Sequence, residues 1–244
     1  MWGFYMIQTV FKILYLILIV IGITPRMWRI KGKLHTLSPQ EKDKLVYKTT
    51  NWFGKKMIRV VGSTVQVNGL ENVPQDKPVL VVSNHQSDMD IPILLGYLNK
   101  PIGFVSKAEI KKFPLVPTWM EMMNCVFMDR KNRRQSVQAI KDGIELLKQG
   151  HSIVIFPEGT RSKGNKMGEF KAGSFHLAVK AGVAILPVTL DGTYKMFEAN
   201  GNRMKPAHAT VTISKPITAE QYENMDIKEL TKYTQDIIES QLQK

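Results

Sequence analysis

From Trp2 to Ile23 the chain is apolar, with Gln8, Thr9 and Lys12 as its strongly hydrophilic positions. Twenty-two helical residues reach about 33 Å, enough to cross a bilayer core. Lys12 stands near the middle, where a lysine costs roughly 2.5–3.5 kcal/mol on insertion scales. The uninterrupted run after it is too short to span alone. The pattern predicts a retained membrane segment, either embedded in one leaflet or spanning. No small-residue cleavage site follows, and Pro25-Arg26 stands where one belongs, which argues against a cleaved signal peptide.

A second helix is predicted next. Ser38-Pro39-Gln40-Glu41 fits a capping box, with Ser38 as N-cap and Glu41 reaching back. Helical periodicity then gathers Lys44, Lys48, Lys55 and Arg59 on one face. Leu45, Val46, Trp52, Phe53, Met57, Val60 and Val61 fall on the opposite arc. A basic face beside an aromatic-rich apolar arc is the pattern of a helix lying on anionic lipid; the other reading is a surface helix packed on the core with a solvated basic side.

Beyond Gly62 the pattern changes to short apolar runs alternating with helical stretches. Strands are predicted at Thr64–Val67, Pro78–Ser83, Pro101–Ser106, Cys125–Met128, Ser152–Phe156, Val183–Leu190 and Ala209–Ser214. Helices are predicted at Met89–Leu98, Arg134–Gly150, Gly173–Gly182 and Asp226–Gln243. This alternation predicts a single α/β domain over 63–244, its sheet mixed and partly parallel and flanked by helices. The two-helix membrane-binding segment, 1–62, precedes it.

Charge and cysteine content narrow the function classes. The net charge is +13 over 244 residues, which points to an anionic partner. Residues 1–62 hold 11 basic and two acidic side chains, a net +9, which leaves +4 for the remaining 182 residues. The charge therefore belongs to the membrane-binding segment. Nucleic acid is a poor partner for the body, which has neither zinc-finger spacing nor an RNA-recognition aromatic motif. Cys125 is the single cysteine, so the chain has no intrachain disulfide and no cysteine-based zinc cluster.

Two predicted strand-end turns carry the suggestive chemistry, as ligands in open α/β sheets gather beyond strand termini. In Asn84-His85-Gln86-Ser87-Asp88-Met89-Asp90, a folded-back turn lets Asp90 hold one imidazole nitrogen and leaves the other as a base. No Gly-x-Ser-x-Gly nucleophile elbow accompanies this pair. A dyad without its own nucleophile suits a substrate that brings a hydroxyl. The other reading of such a spacing is a strand-end histidine satisfied by Asp88 or backbone. The second turn, Phe156-Pro157-Glu158-Gly159-Thr160-Arg161-Ser162, suits phosphate through backbone N–H groups and Arg161. It is no P-loop, because Asn165 stands where the lysine must be. Alone it also reads as a charged surface turn in which Glu158 and Arg161 pair with each other.

Taken together, Asn84-His85-x-Ser87-x-x-Asp90 and the Phe-Pro-Glu-Gly-Thr-Arg-Ser turn resemble the glycerolipid acyltransferase family. Phe170-Lys171-x-Gly173-x-Phe175 and Val183–Val188 continue the likeness. It covers roughly Pro78 to Leu190 and, within the family, is greatest to bacterial enzymes that acylate 1-acylglycerol-3-phosphate. The resemblance implies that His85 deprotonates the acceptor hydroxyl as it attacks an acyl thioester, with Asp90 orienting the ring. It implies that Arg161 holds the acceptor phosphate and that Glu158, Gly159 and Thr160 shape the glycerol site. Lys107 and Arg130 are further candidates for phosphate contact, and Pro187 a structural one. No cofactor or metal is implied. The resemblance implies acyl-ACP or acyl-CoA as the donor and phosphatidic acid as the product. Glycerol-3-phosphate or another lysophospholipid is the alternative acceptor. The implied location is the cytoplasmic face of the cell membrane, where the anionic lipid surface and an acidic acyl carrier protein both match the basic segment. His35, His151, His176 and His208 have no supporting constellation. Cys125 reads as core.

Overall fold

The computed structural model describes residues 2–33, 36–129 and 131–242. Helix α1 (Trp2–Lys33) continues beyond the apolar run and through Pro25. Its buried positions Thr9, Leu16, Met27 and Ile30 recur at helical spacing along nearly its whole length. One stripe thus lies against the rest of the protein. Met6, Val10, Phe11, Leu14, Leu18 and Ile21 stay exposed, and the helix is long and apolar enough to cross a membrane. Lys12 Nζ donates to the Val61 carbonyl at 3.0 Å. The lysine that makes the segment awkward in lipid is thereby turned toward the protein.

Helix α2 (Pro39–Val61) starts with the expected capping box and ends at Gly62 in the left-handed region, φ +85°. Lys44, Lys48, Lys55 and Arg59 form an exposed face as periodicity predicts. The apolar arc follows the second reading, packed on the protein, and departs from the lipid-facing one. Val46, Ile58 and Val61 are buried, Met57 and Val60 pack against the core, and Trp52 is the large apolar side chain of α2 left exposed. The arc is covered by protein because α2 docks on α3 (Asp90–Tyr97) at very close range. A Cβ added to Gly54 would lie 2.5 Å from the Pro92 carbonyl oxygen and 2.7 Å from the Gly96 nitrogen. Only glycine permits that approach.

The remaining elements follow the predicted alternation. Strands β1 (Thr64–Asn68), β2 (Val79–Ser83), β3 (Gly103–Lys107), β4 (Val126–Met128), β5 (Ile153–Ile155), β6 (Ala184–Asp191) and β7 (His208–Ile213) build one sheet. Helices α4 (Val116–Met122), α5 (Arg133–Lys148), α6 (His176–Ala181), α7 (Ala219–Tyr222) and α8 (Ile227–Ser240) complete the chain. The sequence pattern did not anticipate α4. The sheet order is β1-β7-β6-β2-β5-β3-β4. Every neighbouring pair is parallel except β6 with β7, so the sheet is mixed and partly parallel, as expected.

All five residues of β2 are buried, as a central parallel strand covered on both faces requires. Its alternation divides the core. Val79 and Val81 join Ile58, Val61, Ile93 and Leu94 under α2 and α3. Leu80 and Val82 join Ile144, Leu147, Leu177 and Leu230 under α5, α6 and α8. Because β2, β3, β5 and β6 run parallel, their carboxyl ends share one edge, and both chemically suggestive turns emerge there.

Candidate active site

The His85 turn is fixed at its root by Asn84, which is 1% exposed. Its side-chain amide donates to the Leu190 carbonyl and accepts from the Leu190 N–H, each at 2.8 Å. The side chain thus extends the pairing with β6 where β2 ends. His85 Nδ1 then meets Asp90 Oδ2 at 2.7 Å. A carboxylate only accepts, so Nδ1 carries the proton and Nε2 is the basic nitrogen.

Asp90 is fully buried and satisfied on both oxygens. Oδ2 also accepts the Ser87 N–H at 2.9 Å, and Oδ1 accepts the Thr193 hydroxyl at 2.5 Å. The His85 ring stacks on Phe156, with centroids 4.0 Å apart and planes 15° from parallel. One turn sets the imidazole's edge and the other sets its face.

The two turns are tied together through the backbone. Ser162 N–H donates to the His85 carbonyl at 2.8 Å, and Lys163 N–H to the Gln86 carbonyl at 3.1 Å. Glu158 bridges them: its carboxylate accepts the His85 N–H at 2.6 Å and the Gly168 N–H at 2.7 Å. Burial lifts the Glu158 carboxyl above the usual range, opposed by those two N–H donors and by His85. Gly159 closes its turn by donating to the Phe156 carbonyl at 3.0 Å, with φ +74°, a conformation that strains any L side chain.

Arg161 does not pair with Glu158. Its Nη1 contacts Asp88 and lies 2.9 Å from Glu198 Oε1. Glu198 also accepts the Ser87 hydroxyl at 2.5 Å and the Asp88 N–H at 2.9 Å, so one buried carboxylate braces both turns from outside. Sequence reasoning missed Glu198 and Thr193. Thr193 lies just beyond the end of β6, and applying the strand-end rule to that third turn would have flagged it. Glu198 sits in the loop beyond and carries no such signal.

His85, Lys107, Gly159, Thr160 and Arg161 line one cleft of about 390 Å³. Asp90 and Glu158 stand behind it as supports. Arg130 lies outside the described residues. Ile91, Phe104, Ser106 and Ile110 line this cleft and also an apolar cavity of about 260 Å³ that reaches Val20 of α1, Phe53 of α2 and Trp119 of α4. Cys125 borders that cavity. Burial pushes its thiol up to about 12, which leaves it inert as a nucleophile. His151, solitary in the sequence, does have a partner: Nδ1 lies 2.7 Å from Asp43 Oδ2.

Comparison with known proteins agrees with this arrangement. A family model described as Acyltransferase matches residues 64–191, just over half of the chain. A chloroplast 1-acyl-sn-glycerol-3-phosphate acyltransferase of Arabidopsis thaliana is 43% identical over 155 residues, covering 63% of this chain and 43% of that protein. A probable 1-acyl-sn-glycerol-3-phosphate acyltransferase of Mycoplasma genitalium is 38% identical over 157 residues, 60% of this chain and 58% of its own. The match thus spans about half the length of these curated relatives. The crystal structure of the 1-acyl-sn-glycerophosphate (LPA) acyltransferase PlsC from Thermotoga maritima superposes with a TM-score of 0.83 at 32% identity, covering 98% of this chain and 96% of that one. With a matched family model, a shared fold and both turns at one sheet edge, the chain belongs to the acyltransferase family.

Proposed function

We propose that the protein transfers a fatty acyl group from a thioester carrier, acyl carrier protein or CoA, to the sn-2 hydroxyl of 1-acylglycerol-3-phosphate at a membrane surface. The product is phosphatidic acid. One observation carries the reading: an oriented His85–Asp90 pair, 2.7 Å apart, borders a cleft that shares Ile91, Phe104, Ser106 and Ile110 with an apolar cavity. His85 Nε2 takes the acceptor hydroxyl proton as the oxygen's electron pair adds to the thioester carbonyl carbon. The tetrahedral oxyanion re-forms its C=O bond and expels the carrier thiolate, which recovers the proton from His85. Ester and free thiol leave, and no acyl-enzyme forms. Asp90 holds the ring's tautomer and stabilises the imidazolium while it exists. Lys107 and Arg161 supply positive charge for the acceptor phosphate, and the apolar cavity takes an acyl chain.

The exposed apolar face of α1 supports a membrane location. Its buried stripe runs from Thr9 to Ile30 against the protein, which favours a helix lying in one leaflet over one that leaves the domain behind to span. Protein purified in mixed micelles, offered a lysolipid panel and glycerol-3-phosphate with each thioester in turn, tests the reading. We expect phosphatidic acid from 1-acylglycerol-3-phosphate as the fastest product. A faster reaction with glycerol-3-phosphate or a larger headgroup moves the assignment to that acceptor. Absence of transfer to every acceptor overturns it.

A further inference from the structure

We propose that the groove between α5 and α6 holds the phosphopantetheine arm of the thioester donor, an assignment that rests on the acyl-transfer reading above. The groove encloses about 510 Å³, within the range of roughly 300–1,000 Å³ usual for small-molecule sites. Val137 and Ile140 of α5 and Ile155 of β5 give it an apolar lining. Val137 is 51% exposed, an apolar side chain open to solvent inside a concave surface.

Charge gives the groove its ligand class. Arg133, Lys141, Lys171 and Lys180 line it together with His176, and among the described residues no aspartate or glutamate does. Among the described residues none of these four cations makes an ion pair. The first turn of α5 carries Arg133 and Arg134 and no acid. A helix amino terminus is already electropositive and normally attracts acids. Placing arginines there goes against local preference, as sequences do where a site needs the charge. An apolar wall bordered by unopposed cations suits a ligand with an aliphatic diamide stem and a phosphate.

Walls shared with the His85 cleft favour the arm of the donor over a free phosphate. Val105, Phe156 and Gly159 line both the groove and the His85 cleft, and Phe156 is the ring on which His85 stacks. A thioester carbonyl at His85 can therefore send its carrier into the groove, while an acyl chain leaves by the apolar cavity on the other side of the cleft. Phosphopantetheine is common to acyl-CoA and acyl carrier protein, so the groove serves either carrier.

The test compares wild type with Arg133→Glu/Lys171→Glu and, separately, Val137→Trp, at exposed positions where the fold tolerates change. Each is assayed with palmitoyl-CoA and with palmitoyl-acyl carrier protein at saturating 1-acylglycerol-3-phosphate, with thermal melting as the check on folding. Both variants should raise the KM for donor by about tenfold or more, with the acceptor KM and the turnover at saturating donor within about twofold of wild type. A rise for both thioesters, or for one, places the arm in the groove and identifies the carrier that uses it. An unchanged donor KM for both thioesters in folded, active variants overturns the assignment. Failure of wild type to acylate any acceptor instead rejects the acyl-transfer reading.

Discussion

His85 and His151 each hold Nδ1 2.7 Å from an aspartate oxygen, but their surroundings differ in every other respect. His85 sits beyond the carboxyl end of β2, beside a cleft of about 390 Å³. His151 precedes β5 at the opposite sheet edge. Its neighbouring space is about 20 Å³, room for about one water molecule. Asp90 is held by the Ser87 N–H and the Thr193 hydroxyl. Asp43 belongs to α2, and its second oxygen accepts from the Asn124 side chain at 3.1 Å, so this pair fastens the helix to the sheet. A histidine–aspartate pair acquires chemistry from the edge it occupies and the space in front of it. The distance between its atoms is the same in a clasp.

The largest effect that could break this contrast is on turnover. His85→Ala should lower acyl transfer about 10³-fold, while His151→Ala stays within about twofold; the reverse result in steady-state assays would sink the distinction. Thr193→Val removes a hydroxyl donor from one oxygen of buried Asp90. It should cost roughly tenfold in kcat and leave the KM for both substrates unchanged, which marks a positioning role. The His151 pair should register in stability instead: His151→Ala should lose about 1–3 kcal/mol in denaturant unfolding, and no loss would refute the clasp.

Two finer tests sharpen the picture of the His85 side. Burial raises Glu158's carboxyl in the folded state. The folded protein therefore binds that proton more tightly than the unfolded chain, and the group's contribution is greatest at low pH and lost as pH rises through the elevated value. Glu158→Gln should flatten this part of the pH–stability profile on the alkaline side of the ordinary glutamate value; an unchanged slope in melts across that range would refute it. The smallest expected effect is none at all. With its thiol pushed up to about 12, Cys125 should resist iodoacetamide in the native protein at neutral pH, and mass spectrometry showing rapid labelling would contradict its burial.

Local features were legible in the sequence, and features that depend on distant covering were not. The buried run of β2, the capping box at Ser38 and the two strand-end turns rest on neighbouring residues, and each appears where the pattern puts it. The arc of α2 shows the limit. Periodicity reports that one side of a helix avoids water, and it is silent on whether protein or lipid provides the cover. Glu198 is 111 positions from Ser87 and His151 is 108 from Asp43. Such partners are assembled by topology, and no spacing rule reaches across it. Helix α4 is a short segment that starts at Val116 and has Pro117 within its first turn, too brief for its periodicity to emerge.

The glycine crossing between α2 and α3 has a mechanical consequence. Helix α3 begins at Asp90 itself, Gly54 and Gly96 lock it against α2 without intervening side chains, and Lys12 ties the end of α2 to α1. Asp90 and the exposed apolar helix are therefore joined through a continuous chain of direct contacts. Displacement of α1 should then carry α2 and α3 with it and leave the His85–Asp90 geometry intact. On the proposed acyl-transfer reading, lipid composition should then change the KM for acceptor and leave kcat unchanged, which assays in vesicles of varied acyl length check.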